Sequence, residues 1–168
     1  MHLVLMRSGD CCALGEGSRD SERCLTEQGV KEVTASAMFL ASIGIMPKAI
    51  LSSPFKRTTQ TAEIISKHMP NNSPVIIAPY IMPGAGAEEF MRSVAARTEC
   101  KDNDWVIAVG HEPDLGTTVR EILGLENGLG IPLMPSTVIG INAKCHEGKL
   151  YGRIIFLFSQ YGMNELSF

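Results

Sequence analysis

Long hydrophobic runs, an excess of positive charge and paired cysteines are all missing from this 168-residue sequence, and each shortage closes off a class of function. No apolar run approaches the roughly 20 residues needed to cross a bilayer. The first residues also lack the basic, apolar and cleavage segments of a secretory signal, so a cytoplasmic protein that does not engage membranes is expected. A formal net charge of -3 argues against a general binder of nucleic acid or anionic lipid. Any affinity for phosphate must therefore come from a local cluster of cations. The five cysteines, Cys11, Cys12, Cys24, Cys100 and Cys145, are odd in number and show no C-x-x-C spacing, which reads as free thiols in a reducing compartment. None has an arginine six positions later, so the phosphate loop of cysteine-dependent phosphatases is missing. His111-Glu112 begins like a zinc-binding helix, but Leu115 stands where the second histidine belongs. With no Walker loop and no G-x-S-x-G elbow, no metal and no cofactor is expected.

What is present is the composition of a globular domain, 45% hydrophobic and 20% charged. The length suits one domain with a full core, taken as residues 1–168, and a monomer is favoured. Strand-like runs alternate with helix-like ones. Leu3 to Met6 is an unbroken apolar run, the mark of a strand buried on both faces. A polar loop from Gly9 to Arg23 leads to Thr26, a helix N-cap, and the apolar positions Val30, Val33, Ala37, Leu40 and Ala41 follow helical spacing up to Gly44. Ala49 to Ser52 is a second strand. Ser53-Pro54 reads as a cap followed by proline at the first helical position, with the helix running to His68. Val75 to Ala78 is a third strand, Pro79 to Ala87 a loop, Glu88 to Thr98 a helix and Trp105 to Val109 a fourth strand. A helix then reaches about Leu123, and Thr137 to Asn142 with Tyr151 to Phe158 forms an antiparallel hairpin. This order predicts an α/β three-layer sandwich: a mainly parallel sheet with helices on both faces and a C-terminal hairpin.

In such a sheet, ligands gather outside the carboxyl ends of the strands. Arg7 follows the first strand, Arg57 opens the helix after the second, and His111 follows the fourth. Each alone reads as an ordinary surface or helix-end residue. Three phosphate-binding groups at one sheet edge read as a site, since arginine forks match phosphate oxygens and a helix N-terminus adds backbone donors.

Four ordered segments carry a resemblance over essentially the whole chain. LVLMRSGD is similar to the LxLxRHG opening of the histidine phosphatase superfamily, whose members have the phosphoglycerate mutase-like fold. DSERCLTEQG (Asp20 to Gly29), SSPFKRTTQTAEII (Ser52 to Ile65) and VGHEPDLG (Val109 to Gly116) resemble its later motifs, in order and spacing. The short chain, the Asp-Ser-x-Arg-x-Leu-Thr stretch and the Met-Pro-Gly loop at 82–84 resemble the SixA-type phosphohistidine phosphatases in particular. The resemblance implies a phosphate pocket of Arg7, Gly9, Arg57 and His111, with Arg23 as a further contributor. In the family, a histidine directly after the first arginine attacks phosphorus and carries the phosphoryl group. Here that position is Ser8.

Serine needs an activating base to act as a nucleophile. His111 is the available base, but cationic surroundings favour it as a donor to phosphate. The serine oxygen also lies nearer the backbone than a distal imidazole nitrogen, and a phosphoserine ester would release its alkoxide poorly. Cys11 and Cys12 lie in a loop with no family role. Two readings follow. One is a phosphohistidine phosphatase scaffold acting on a relay protein, impaired because Ser8 replaces the nucleophile. The other is a non-catalytic pseudophosphatase that holds phosphate or phosphohistidine. A weaker third is a small-molecule phosphomonoesterase or mutase, for which Glu88 and Glu89 are the only acid candidates after the third strand; both read better as the solvated first turn of a helix. The expected partner is accordingly a phosphorylated protein or a phosphate ester.

Overall fold

The structure, a computed structural model, describes residues 1–97, 104–125, 131–147 and 149–160. Its strands are β1 (His2–Arg7), β2 (Pro47–Ser52), β3 (Val75–Ile77), β4 (Trp105–Gly110), β5 (Val138–His146) and β6 (Lys149–Phe158). Its helices are α1 (Glu27–Ser42), α2 (Lys56–His68), α3 (Ala87–Arg97) and α4 (Asp114–Ile122). The six strands form one sheet in the order β3-β2-β4-β1-β5-β6. β3, β2, β4 and β1 run parallel, and β5 and β6 are antiparallel additions. This is the α/β architecture the sequence predicts.

The central position of β1 follows from its composition. Leu3, Val4, Leu5 and Met6 are all fully buried, with β4 on one side and β5 on the other. Alternation along the strand divides them between two cores. Leu3 and Leu5 pack with Phe90, Met91 and Val94 of α3 and with Leu115, Val119 and Ile122 of α4. Val4 and Met6 pack with Val33, Ala37 and Leu40 of α1 and with Ala62 and Ile65 of α2. Each buried Leu, Ile or Met contributes roughly 1.5–3 kcal/mol relative to exposure, so both helical layers are fastened to the same strand.

Most element ends agree with the sequence pattern to within a residue or two. The Thr26 hydroxyl accepts from the Gly29 amide at 2.9 Å, as an N-cap should, and Gly44 takes φ +77 beyond the end of α1. Four differences are seen. Helix α2 begins at Lys56 instead of Pro54, because Ser53 extends the sheet: its amide donates to the Val109 carbonyl at 3.2 Å. The hairpin strands run further than predicted, since Lys144 to His146 pair through their backbones although their side chains are exposed. Val30, expected on the buried stripe of α1, is instead exposed. The two loops hold short 3-10 turns, at Asp20–Glu22 and Pro79–Ile81, which no hydrophobic period marks. Thr98, the predicted last residue of α3, lies outside the described residues.

Candidate functional site

The parallel strands β1, β2 and β4 end level with one another. Arg7 pairs with Gly110, and the Ser8 amide donates to the Gly110 carbonyl at 3.1 Å. Residues directly after these strands are thereby brought to one edge of the sheet. There they line a cleft of about 280 Å³ that brings together Arg7, Ser8, Gly9, Arg23, Arg57 and His111. Asp10, Cys11, Glu112 and Pro135 complete its wall.

Arg57, in the first turn of α2, is buried and makes three side-chain hydrogen bonds. Its Nη1 donates to the Asp20 carbonyl at 2.8 Å, and its Nη2 donates to Asp20 Oδ2 at 3.0 Å and to His111 Nδ1 at 3.1 Å. The guanidinium lies 5.0 Å from the centre of the Phe55 ring, a cation-π distance. Because arginine can only donate, His111 Nδ1 must accept. The imidazole proton is then on Nε2, which donates to the Ser53 hydroxyl at 2.8 Å. Burial, reinforced by the charges of Arg57 and Arg7 and opposed by Asp20, lowers the His111 pKa from 6.5 to about 4. The imidazole is therefore neutral at neutral pH.

Asp20 joins two cations. Its Oδ1 accepts from Arg23 Nη1 at 3.0 Å, while Oδ2 faces Arg57. Burial opposes the ionisation of this carboxyl, but the hydrogen bonds from Arg23 and Arg57 overcome that and hold its pKa below the ordinary value. Arg23 Nε also donates to the Cys12 carbonyl at 2.6 Å, which ties the 3-10 turn to the start of the loop after β1. That loop is seated on α1 by close backbone contact. A Cβ on Gly29 would lie 2.2 Å from the Asp10 carbonyl oxygen, so only glycine fits there.

Arg7 stands differently. Its Nη1 donates to the Leu133 carbonyl at 2.8 Å, and among the described residues it has no ion-pair partner. Ser8 is buried, with its backbone tied to Gly110 and Ser136, and among the described residues none hydrogen-bonds its hydroxyl. The Gly9 amide donates to Thr61 Oγ1 at 3.2 Å and so faces α2. Burial pushes the Cys11 thiol pKa up, against the charges of Arg23 and Arg57. Glu88 and Glu89 fall in the first turn of α3, as predicted, and neither lines the cleft. No group of three or more His, Cys, Asp and Glu side chains among the described residues is arranged to hold a metal ion.

Cations from three separate elements stand around a neutral imidazole, a charge and donor arrangement whose chemistry suits a small oxyanion. Three of its residues went unrecognised in the sequence. Asp20 reads there as a loop acid, although its place in the DSER segment was a signal. Ser53 reads as a helix cap, and Glu112 as half of a failed zinc motif.

Residues 3–82 match the model of the histidine phosphatase superfamily (branch 1). An uncharacterized protein of Picosynechococcus sp. is 27% identical over 143 residues, spanning 85% of this chain and 86% of its own length. The solved structure of the protein histidine phosphatase SixA complexed with tungstate is similar at a TM-score of 0.77 and 22% identity, over 95% of this chain and 97% of that one. A mycobacterial glucosyl-3-phosphoglycerate phosphatase is similar at 0.66 and 18% identity, covering 92% and 96%. At these identities the structural likeness establishes the fold, which is the phosphoglycerate mutase-like one.

Proposed function

We propose that this chain, which belongs to the histidine phosphatase superfamily, is a SixA-type protein that holds the phosphoryl group of a phosphohistidine-bearing partner without efficient turnover, because Ser8 stands at the position of the nucleophilic histidine. Arg7 and Arg57 are the groups proposed to take the phosphoryl oxygens, with Arg23 at the rim and with the Nε2–H of His111 joining them once the phosphoryl group displaces its bond to Ser53. On binding, a phosphoryl dianion would compete with the Asp20 carboxylate for Arg57 and Arg23. That the SixA structure is complexed with tungstate, also an oxyanion, supports the reading of this chain as an oxyanion binder.

The observation that carries the loss of turnover is the bonding of His111. Both its ring nitrogens are taken, one by Arg57 and the other by Ser53, so the imidazole is not available as a base to Ser8. A serine hydroxyl without a base stays protonated near neutral pH and attacks phosphorus poorly. A phosphoprotein fits better than a small phosphate ester, because among the described residues no acid of the segment after β3 lines the cleft to protonate an ester oxygen.

The test pairs binding with hydrolysis. Titration calorimetry should show inorganic phosphate binding to the wild-type protein, while a phosphohistidine protein and an aryl phosphate should be hydrolysed no faster by it than by Ser8→Ala. Robust turnover lost in Ser8→Ala would make serine the nucleophile and overturn the proposal.

A further inference from the structure

We infer that Glu112 is a positioning residue for Arg7, acting through the backbone of Leu133. The inference rests on the reading that Arg7 binds the phosphoryl group. Glu112 Oε1 accepts from the Leu133 amide at 3.2 Å, and the Leu133 carbonyl accepts from Arg7 Nη1 at 2.8 Å. The Leu133 side chain is fully buried in the core beneath α3 and α4, so the residue between carboxylate and guanidinium is itself fixed. At the far end of the relay, Glu112 Oε2 lies against the first turn of α4. A Cβ on Gly116 would come within 2.9 Å of that oxygen and of the Ile131 carbonyl, so the GHEPDLG segment needs glycine there to seat its own glutamate.

The arrangement solves a particular problem. An arginine that must bind an anion loses much of its pull when a carboxylate orients it directly, which is the condition of Arg57 beside Asp20. Arg7 is oriented by a neutral carbonyl instead, and the carboxylate that anchors that carbonyl stands one residue away. The Leu133 amide and carbonyl belong to successive peptide groups, so the carboxylate acts by fixing the stretch of backbone that presents the carbonyl to Arg7. Burial raises the Glu112 pKa, and the Leu133 amide, the charge of Arg7 and the Gly116 amide oppose that rise. A carboxylate kept in so costly a place and matched on several sides reads as part of the site rather than as an incidental surface charge.

The experiment measures inorganic phosphate affinity by calorimetry in Glu112→Ala, Glu112→Gln, Arg7→Ala and the double variant Arg7→Ala/Glu112→Ala. Glu112→Ala should bind about tenfold more weakly, the size of one ordinary hydrogen bond. Glu112→Gln, whose amide oxygen can still accept from Leu133, should bind within about threefold of the wild type. In the Arg7→Ala background, removing Glu112 should cost nothing further. Tighter binding in both Glu112 variants would show that the carboxylate merely repels phosphate, and equal losses with and without Arg7 would show a merely structural role; either overturns the inference. A second readout needs no ligand. The Arg7 guanidinium nitrogens should show restricted rotation by NMR in the wild type and Glu112→Gln, and averaging in Glu112→Ala. If that pattern holds while the wild type binds no phosphate, the proposed function falls and the positioning role stands. If phosphate binds through Arg7 but its guanidinium is indifferent to Glu112, only the positioning role falls.

Discussion

At the scale of single residues, the state of His111 depends on what Arg57 can offer. A guanidinium has no lone pair to give, so Arg57 forces Nδ1 to accept and leaves the proton on Nε2. The histidine is buried, and its pKa lies at about 4 against an ordinary 6.5. Between those values the unfolded chain takes up a proton that the folded protein refuses. Stability should therefore be fully present above about pH 6.5 and fall as pH drops toward 4. The loss attributable to this residue is at most about 3 kcal/mol. Glu112 works in the opposite direction, since its pKa is raised and the folded state takes its proton first on acidification. The difference in pH dependence between wild type and His111→Gln isolates the histidine. Urea unfolding at pH 7 and pH 4.5 should show a steeper loss in the wild type, and an equal loss in both would contradict a neutral buried imidazole. Arg57→Ala should raise the His111 pKa in an NMR titration, because it removes a nearby positive charge. It should also weaken phosphate binding by about 1.5–3 kcal/mol, the range for a charge-assisted hydrogen bond.

At the scale of elements, the segment between β1 and α1 decides the shape of the cleft. It delivers Asp20 and Arg23, and it is held down where the Asp10 carbonyl meets Gly29 in the first turn of α1. Gly29→Ala puts a methyl group 2.2 Å from that oxygen, and the contact is backbone, so it cannot rotate away. Destabilisation of about 1–3 kcal/mol is expected in denaturant unfolding, together with weaker phosphate binding as the segment lifts. Unchanged values of both would show that the segment is not seated there. This segment also shows what the sequence conveys and what it hides. Leu3 to Met6 announces a doubly buried strand, and Thr26 announces a cap, because each is a local pattern with one physical cause. That Arg7, Arg57 and His111 come together was legible because strand order alone brings them to one edge of the sheet. Asp20 was not, since it meets Arg57 across 37 positions and its 3-10 turn carries no period. Ser53 was misread because a serine before proline is a good helix cap in isolation. Here the β2–β4 ladder claims its backbone and His111 claims its hydroxyl.

At the scale of the whole molecule, the sheet and its two cores do not depend on the residue at position 8. Ser8 follows the end of β1, beyond the apolar run, and its side chain borders the cleft rather than either core. A fold that is complete with serine at position 8 should accept a histidine there. Ser8→His should therefore fold with nearly unchanged stability, since a cleft of about 280 Å³ can take an imidazole. It should also hydrolyse a phosphohistidine protein or an aryl phosphate that the wild type leaves intact. On the proposed reading the arginines would neutralise the transferring phosphoryl group and His111 would donate to it. What the serine chain lacks is a nitrogen that can take the phosphoryl group and then give it up to water. Loss of a covalent step lowers turnover far more than binding, so the two forms should differ in rate by orders of magnitude and in phosphate affinity by little. The comparison needs both forms side by side, with phosphate release and a calorimetric titration on each. A histidine form that binds phosphate yet remains inert would reveal a second defect in the cleft and favour a protein whose role is to hold the phosphoryl group. A wild type already turning over, with no gain on Ser8→His, would place the chemistry on another residue, and Cys11, already on the cleft wall, is the next to change.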